Sequence, residues 1–230
     1  MAVKIQWLGH SAFLLDVDGH AVLIDPFLTG NPLAAAQSAD MNPEVILLSH
    51  AHGDHLGDTV DIAKASSAKV ITNFEISNYM TAQGVKDVVG MNPGGQGDFD
   101  FMTVKFTRAY HSSSFPDGSY GGVPCGFIIT AKESDKTIYF ASDTALFSDM
   151  SLIGEHGLDL AIVPIGDFFT MGVDDSIKAL QLLKAAHAMP MHYNTFPPIA
   201  QDAAAWGEKV HAETDSSAIV LDPGGEHTLE

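Results

Sequence analysis

Cysteine is nearly absent from this chain of 230 residues, which contains Cys125 alone and therefore cannot form an internal disulfide. A lone thiol fits a reducing compartment, so we expect a cytoplasmic protein in which Cys125 is a packing residue rather than a nucleophile. Long apolar runs are also missing, since no stretch approaches the roughly 18 consecutive residues of a membrane span. Residues 1–7 pass directly into strand-like sequence without the apolar core of a signal peptide. We expect neither membrane insertion nor export.

Basic residues are scarce as well. Eleven Lys and Arg against 29 Asp and Glu give a formal net charge of −18, which solubility alone would explain. A field of this sign repels polyanions, so we expect neither nucleic acid nor a membrane surface as a partner. A small-molecule substrate remains possible, even an anionic one, because two divalent cations in one pocket would add about four positive charges. A homo-oligomer also remains possible.

The composition is otherwise that of a globular protein, with 46% hydrophobic and 17% charged residues. Predicted strands alternate with predicted helices along the chain, which is typical of an α/β fold. No change of composition marks a linker and no short repeat recurs. We therefore expect a single domain over residues 1–230.

The spacing of apolar residues predicts the individual elements. The predicted strands cover residues 4–8, 12–17, 21–24, 45–48, 69–72, 101–110, 127–130, 137–141, 158–163, 189–191 and 218–221. The predicted helices cover residues 59–65, 74–82 and 174–186, with one helical turn at 33–37. Asp18-Gly19 predicts a two-residue hairpin turn. The glycine-rich residues 92–97 predict a turn, because they match neither phosphate-binding glycine pattern.

The most informative segment is the hexapeptide His50-Ala51-His52-Gly53-Asp54-His55, which directly follows the apolar run at residues 45–48. Successive side chains on an extended chain alternate between faces, so His50 and His52 point the same way and can share one cation. Asp54 and His55 follow a glycine and are free to turn toward a second cation. The alternative, a solvated loop with a chance cluster of histidines, does not explain this spacing.

The hexapeptide alone cannot form a catalytic site with two metals, because only four of its side chains can bind metal. Such a site needs about three ligands per ion and a bridging carboxylate. Further ligands should lie where later strands end, since those positions face a cleft. His111, Asp143 and His192 each follow a predicted strand. Taken singly, each is better explained as an ordinary polar residue at a strand end. Taken with the hexapeptide, they predict a metal centre.

Together these residues resemble the metallo-β-lactamase superfamily, whose HxHxDH signature is matched by residues 50–55. The segments 7–12 (WLGHSA), 24–26 (IDP) and 191–194 (MHYN) are similar to those of small metal-dependent hydrolases near the ascorbate-phosphate lactonase branch. The resemblance covers nearly the whole chain. It implies an α/β fold, a four-layer αββα sandwich of two mixed sheets flanked by helices, with metals at the edge between the sheets.

The resemblance also implies which residues bind metal. It assigns one ion to His50, His52 and His111 and the other to Asp54, His55 and His192, bridged by Asp143. Imidazole and carboxylate ligands without a thiolate suit Zn²⁺, our expectation, but also Mn²⁺, Fe²⁺, Co²⁺ or Ni²⁺.

The expected reaction is attack by a metal-bridging hydroxide on a small ester-like substrate, a lactone or a phosphodiester. Asp54 is a candidate proton carrier. An iron-dependent redox enzyme on the same fold and a non-catalytic, metal-dependent metabolite-binding protein remain as alternatives.

Four further residues are candidates for supporting roles. Asp25 would orient a ligand imidazole, unless it only caps a turn. His10 would steady a substrate oxygen, unless it is a structural histidine. Tyr193 and Asn194 follow a predicted ligand and would donate to a developing oxyanion. The loop at residues 165–172 should form a rim of the pocket.

Overall fold

The computed structural model describes residues 2–230, and in that range it contains two seven-stranded sheets and six α-helices. The strands are β1 (Val3–Gly9), β2 (Ala12–Val17), β3 (His20–Ile24), β4 (Val45–Leu48), β5 (Lys69–Asn73), β6 (Val88–Met91), β7 (Gln96–Asp98), β8 (Met102–Arg108), β9 (Cys125–Ala131), β10 (Thr137–Phe140), β11 (Leu160–Pro164), β12 (His187–Met191), β13 (Ser217–Ala218) and β14 (Glu226–Leu229). The helices are α1 (Gly53–Leu56), α2 (Thr59–Ser66), α3 (Phe74–Ala82), α4 (Met150–Gly154), α5 (Val173–Leu183) and α6 (Ala203–Glu213).

Both sheets are mixed. The first has the strand order β14-β1-β2-β3-β4-β5-β6 and the second the order β13-β12-β11-β10-β9-β8-β7. In the first sheet β1, β2 and β3 are antiparallel neighbours, whereas β3 to β6 run parallel. In the second, β8, β9 and β10 are antiparallel neighbours, whereas β10 to β13 run parallel. The predicted α/β architecture is confirmed.

Side chains of the central strands alternate between two apolar cores. In β3, Val22 and Ile24 belong to the core that joins the two sheets, where Phe13 meets Phe140 with ring centroids 6.0 Å apart. Leu23, between them, packs with residues of α2 and α3 on the outer face of the first sheet. Residues of α5 and α6 cover the second sheet. Because each fully buried side chain of this size contributes roughly 1.5–3 kcal/mol, this packing fixes how the two sheets meet.

Several predicted bounds need correction. Helix α5 ends at Leu183 rather than residue 186, because Lys184 adopts a left-handed conformation with φ 53°. The helical turn expected at residues 33–37 lies instead at Ser38–Asp40. The strand expected at residues 218–221 is reduced to the two-residue β13. In the glycine-rich segment, the predicted turn is followed by strand β7, which pairs with β8.

Some elements escaped the sequence analysis altogether. The strands β6 and β14 are short edge strands with weak apolar alternation, so they depend on pairing with β5 and β1. The helix α6 was missed because its apolar face is small, although Trp206 at its centre is fully buried. Across residues 2–230, no helix combines the length and apolarity needed to cross a bilayer.

Candidate metal centre

Six strands that share a direction within their sheets lead into one cluster of polar residues. These are β1, β3 and β4 in the first sheet and β8, β10 and β12 in the second. Within three residues of their carboxyl ends come, in the same order, His10, Asp25, His50, His111, Asp143 and His192. The carboxyl ends of strands are where α/β folds place their ligands. A hydrogen bond of 3.2 Å from the His192 N–H to the His10 carbonyl links the two sheets at this point.

The first ligand group consists of His50, His52 and His111, each offering a ring nitrogen within 4.8 Å of the others. His50 Nε2 lies 3.1 Å from His52 Nδ1. His50 is fully buried, whereas His52 and His111 are partly exposed. His52 keeps an extended backbone (φ −60°, ψ 147°) and then begins α1. The chain direction therefore changes between His52 and Asp54.

The second group contains the expected Asp54, His55 and His192, together with His10. Their donor atoms also lie within 4.8 Å of one another. His192 Nε2 lies 4.0 Å and His10 Nε2 3.3 Å from Asp54 Oδ2. The helical turn of α1 carries Asp54 and His55 toward this group, as expected for residues that follow the glycine.

Asp143 lies between the two groups. Its Oδ2 is 3.0 Å from His192 Nε2 and 3.5 Å from His111 Nε2, and its Oδ1 is 3.3 Å from His55 Nε2. One carboxylate thus reaches histidines from both groups, the position that a bridging ligand requires.

Asp25 holds the imidazole of His55 from behind. Its Oδ2 lies 2.7 Å from His55 Nδ1 and accepts a hydrogen bond of 2.6 Å from the Ser49 hydroxyl. Its Oδ1 accepts the Ser49 backbone N–H at 2.8 Å. The Asp25 contact holds a proton on Nδ1 and orients Nε2 of His55 toward the cluster. Sequence analysis missed Ser49, because only this tertiary contact distinguishes it from other serines.

His10 is fully buried at the edge of the second group. Its Nδ1 lies 2.7 Å from Thr195 Oγ1, and its ring meets Phe27 and Phe196 edge-on at centroid distances of 5.8 and 5.7 Å. Burial lowers the pKa of His10 to about 4. This position favours a contact with Asp54 over a direct contact with substrate. Sequence analysis missed Thr195, the hydrogen-bond partner of His10, as it missed Ser49, the partner of Asp25.

Tyr193 and Asn194 lie elsewhere than expected. Tyr193 stacks on Trp7 at 5.1 Å and is buried, which raises its pKa to about 12. The exposed Asn194 accepts the backbone N–H of Gln201 at 2.8 Å and so holds its own loop. These contacts give no support to the oxyanion role expected of Tyr193 and Asn194, which stays a prediction.

The electrostatics of the cluster suit cations. Burial lowers the pKa of His50, His52 and His111, so these imidazoles are neutral and have a free lone pair. For His55, burial acts to lower the pKa, but the carboxylates of Asp143 and Asp25 outweigh it and raise the pKa well above its usual range. Carboxylates that favour positive charge on an imidazole at this point would equally favour a metal cation.

Unpartnered atoms support the same fit. Buried His10 Nε2, His55 Nε2 and Asp143 Oδ1 have no hydrogen-bond partner in acceptable geometry, although His55 and Asp143 lie close together. Buried polar atoms left this way cost about 1–3 kcal/mol each, so a bound ion would relieve a real penalty. The donors are nitrogen and oxygen only, as Zn²⁺ and other borderline or hard cations accept.

A cavity of about 420 Å³ opens onto the cluster. Its polar wall consists of Ser112 and five predicted ligands: His52, Asp54, His111, Asp143 and His192. Its remaining lining residues are apolar: Phe169, Phe196 and Pro198. Phe169 belongs to the loop at residues 165–172 that was expected to form a rim.

Comparison with known proteins yields a consistent set of relatives. Residues 20–193 match the sequence profile of the beta-lactamase superfamily domain. The UPF0173 metal-dependent hydrolase of Thermus thermophilus is 50% identical over 222 residues, which covers 96% of this chain and 97% of the relative. That of Geobacillus thermodenitrificans is 52% identical over 205 residues and covers 87% and 89%. The structure of Igni18, a metallo hydrolase from Ignicoccus hospitalis, superposes with a TM-score of 0.91 at 36% identity over 100% of this chain and 99% of Igni18.

Proposed function

This chain belongs to the beta-lactamase superfamily and, within it, to the UPF0173 metal-dependent hydrolases, and from that membership we propose a binuclear enzyme that cleaves a small ester-like substrate, a lactone or a phosphodiester. The observation that carries the proposal is the position of Asp143, whose carboxylate lies within 3.5 Å of histidines from both ligand groups. A site for a single ion would not need a buried carboxylate shared in this way.

The residues that would hold the ions follow from the two groups. We assign one ion to His50, His52 and His111, the other to Asp54, His55 and His192, and Asp143 to both. We propose Zn²⁺, while the same donors accept Mn²⁺, Fe²⁺, Co²⁺ or Ni²⁺. Bound divalent cations supply Lewis acidity and lower the pKa of water from about 15.7 toward 7, so no serine or cysteine nucleophile is needed.

The chain's own carboxylates then have distinct tasks. Asp54 lines the cavity and keeps about 30% of its side chain exposed, whereas Asp143 and Asp25 are buried. Burial acts to raise the pKa of Asp54, but the imidazole of His10, with Nε2 3.3 Å from Oδ2, and the charge of His55 lower it below its usual range. Asp54 is therefore ionised and can accept a proton at Oδ1 or Oδ2 during attack and return it to the leaving group. Asp25 orients His55, and His10 orients Asp54.

Metal analysis of the purified protein, followed by assays on lactones, phosphodiesters and thioesters, tests the proposal. We expect about two ions per chain and turnover of at least one class. His52→Ala should remove one ion and most of the activity, while the matched change His156→Ala, at a residue outside both ligand groups, should alter neither. Full metal loading with no turnover of any class would refute a hydrolase, and a coloured, iron-loaded protein inactive on esters would favour redox chemistry.

The proposal also covers the type of substrate, the cellular location and the partners of the protein. A small-molecule substrate suits the size of the cavity, whose volume is about 420 Å³. We propose cytoplasmic action on such a substrate, without nucleic acid or a membrane as a partner. Sedimentation of the purified protein would decide whether it forms a homo-oligomer.

A further inference from the structure

We propose that the substrate is uncharged and carries an apolar substituent beside its ester-like bond, and that Phe169 and Phe196 bind this substituent. The inference rests on the proposed function and narrows it, because it favours lactones and neutral esters over phosphodiesters. Three features of the cavity support it: an apolar wall, a lack of positive side chains, and a strained loop that presents an aromatic ring.

The apolar residues that line the cavity come from two loops. Phe169 comes from the loop after β11, whereas Phe196 and Pro198 come from the loop after β12. A substrate whose reacting bond faces Asp143 would therefore place its substituent between side chains from two different loops. Transfer of apolar surface into such a site is favourable by about 0.8 kcal/mol per methylene, which corresponds to roughly fourfold in affinity.

Positive side chains are missing from the same cavity. Within residues 2–230, none of the residues that line it is Lys or Arg. Several lysines are engaged elsewhere in ion pairs, for example Lys4 with Glu226 and Lys136 with Asp159. Sites for phosphate esters usually hold the non-reacting oxygens with Arg or Lys forks. A phosphodiester would find no such partner here.

The ions themselves offer little surplus charge for an anion. Two divalent cations bring four positive charges, which the carboxylates of Asp25, Asp54 and Asp143 offset to about one. The chain as a whole has a net charge of −18, so its field repels anions that approach the cavity. An uncharged ester escapes this repulsion.

The loop that carries Phe169 is strained. Asp167 and Phe168 both adopt left-handed conformations, with φ 60° and 57°, which is rare for a bulky residue. The Asp167 carboxylate accepts the Phe168 N–H at 2.8 Å and holds this turn. Phe168 packs edge-on against Phe169 at 4.7 Å, and 51% of Phe169 remains exposed. Strain that keeps an aromatic ring exposed at a cavity mouth is typical of a binding element.

Phe196 forms the fixed side of the pair. It is partly buried and packs near Phe27 with centroids 6.5 Å apart, as well as against the buried His10. One ring is therefore anchored to the metal centre, and the other is presented by a loop. This arrangement suits a flat or alkyl substituent that enters between them.

A matched series of substrates and variants tests the inference. The substrates are five-membered lactones with alkyl side chains of two, four and six carbons, the same lactones with a terminal carboxylate, and bis(p-nitrophenyl) phosphate. For the metal-loaded wild type, we expect kcat/KM to rise about fourfold per methylene in the neutral series. The charged lactones and the phosphodiester should be at least tenfold poorer substrates.

Phe169→Ala should flatten the rise with chain length, so that kcat/KM falls more for the six-carbon lactone than for the two-carbon one. Phe74→Ala is the matched control, because Phe74 is exposed to a similar extent (54%) and does not line the cavity. It should preserve the whole series. A preference for charged substrates, or an unchanged chain-length dependence in Phe169→Ala, would overturn the inference while the hydrolase stands.

A binding measurement keeps the inference testable if no ester is turned over. Calorimetric titration compares an uncharged probe, 4-phenylbutyramide, with inorganic phosphate on wild type and both variants. Tighter binding of the amide, weakened at least fivefold by Phe169→Ala and not by Phe74→Ala, supports the apolar subsite even without hydrolysis. Tighter binding of phosphate, or equal binding of the amide to all three proteins, overturns it.

Discussion

The two ends of the sandwich use similar residues for different purposes. At the end where β3, β10 and β12 finish, Asp25 and His192 adopt left-handed conformations, with φ 43° and 55°, which turn their side chains into the metal cluster. At the other end Asp18 and Asp135 are also left-handed, each with φ 55°, but they sit in the turns between β2 and β3 and between β9 and β10. There the conformation only reverses the chain.

The hydrogen bonds at the two ends differ accordingly. The Asp18 carboxylate accepts backbone N–H groups of Glu133 and Ser134 at 3.0 and 3.2 Å, so it joins the turns of the two sheets. The carboxylates of the metal end instead contact imidazoles, and buried Asp143 Oδ1 has no hydrogen-bond partner. One end therefore contributes mainly to stability, and the other retains unsatisfied polar atoms that could bind the proposed ions.

The largest effect expected from this comparison is that of Asp143→Ala. Removal of the shared carboxylate should disturb both ions, so kcat/KM should fall by far more than the 10–100-fold typical of an outer partner. Metal content by mass spectrometry and steady-state kinetics measure this, with Asp61→Ala on the exposed side of α2 as control. A variant that keeps both ions and its turnover would show that Asp143 is not shared between them.

A smaller effect is expected for Asp25→Asn, which conserves size but removes the negative charge behind His55. Loss of an outer carboxylate typically costs 10–100-fold in metal affinity or activity. Competition with a chelator measures the affinity, and thermal unfolding of the metal-free protein checks that the variant folds. If affinity is unchanged while unfolding shifts, Asp25 is purely structural and resembles Asp18.

The smallest effect belongs to the opposite end. Asp18→Ala should lower the free energy of unfolding by on the order of 1 kcal/mol, about 2–4 °C in Tm, through its lost hydrogen bonds to backbone N–H groups. Because the site is remote, kcat and metal content should not change. A loss of activity at unchanged metal content would show that the two ends are coupled.

The pH dependence of stability, measured with a second variant at the same position, sharpens this result. Burial acts to raise the pKa of Asp18, but hydrogen bonds from Ser134 and Glu133 outweigh it and lower the pKa below its ordinary value of 3.8. The stabilisation is thus complete above that pH and declines as pH falls through the lower folded pKa. Denaturant unfolding of wild type and Asp18→Asn should differ at pH 7 and converge at strongly acidic pH. An equal difference at all pH values would exclude a charge effect.

The metal centre was more predictable than its surroundings. The predicted ligands His50, His52, Asp54 and His55 stand together in the sequence. The residues expected to join them, His111, Asp143 and His192, do lie against them in the structure. Ser49 and Thr195 were not predictable, because hydroxyl side chains are common and only a tertiary partner singles them out. His10 was recognised as a candidate, but its contact with Asp54 was not expected.

Local chemistry alone determined the alternation of Val22, Leu23 and Ile24 and the turn at Asp18, since these depend on neighbours in the chain. It also determined that the atoms offered to a metal are nitrogen and oxygen. Only the tertiary structure decided that Asp143 meets His55 and that Tyr193 turns away to Trp7. Those distances depend on how two sheets pack across the Phe13–Phe140 core, which sums many weak apolar contacts between residues far apart in the chain. A local sequence pattern does not show how these distant contacts add up.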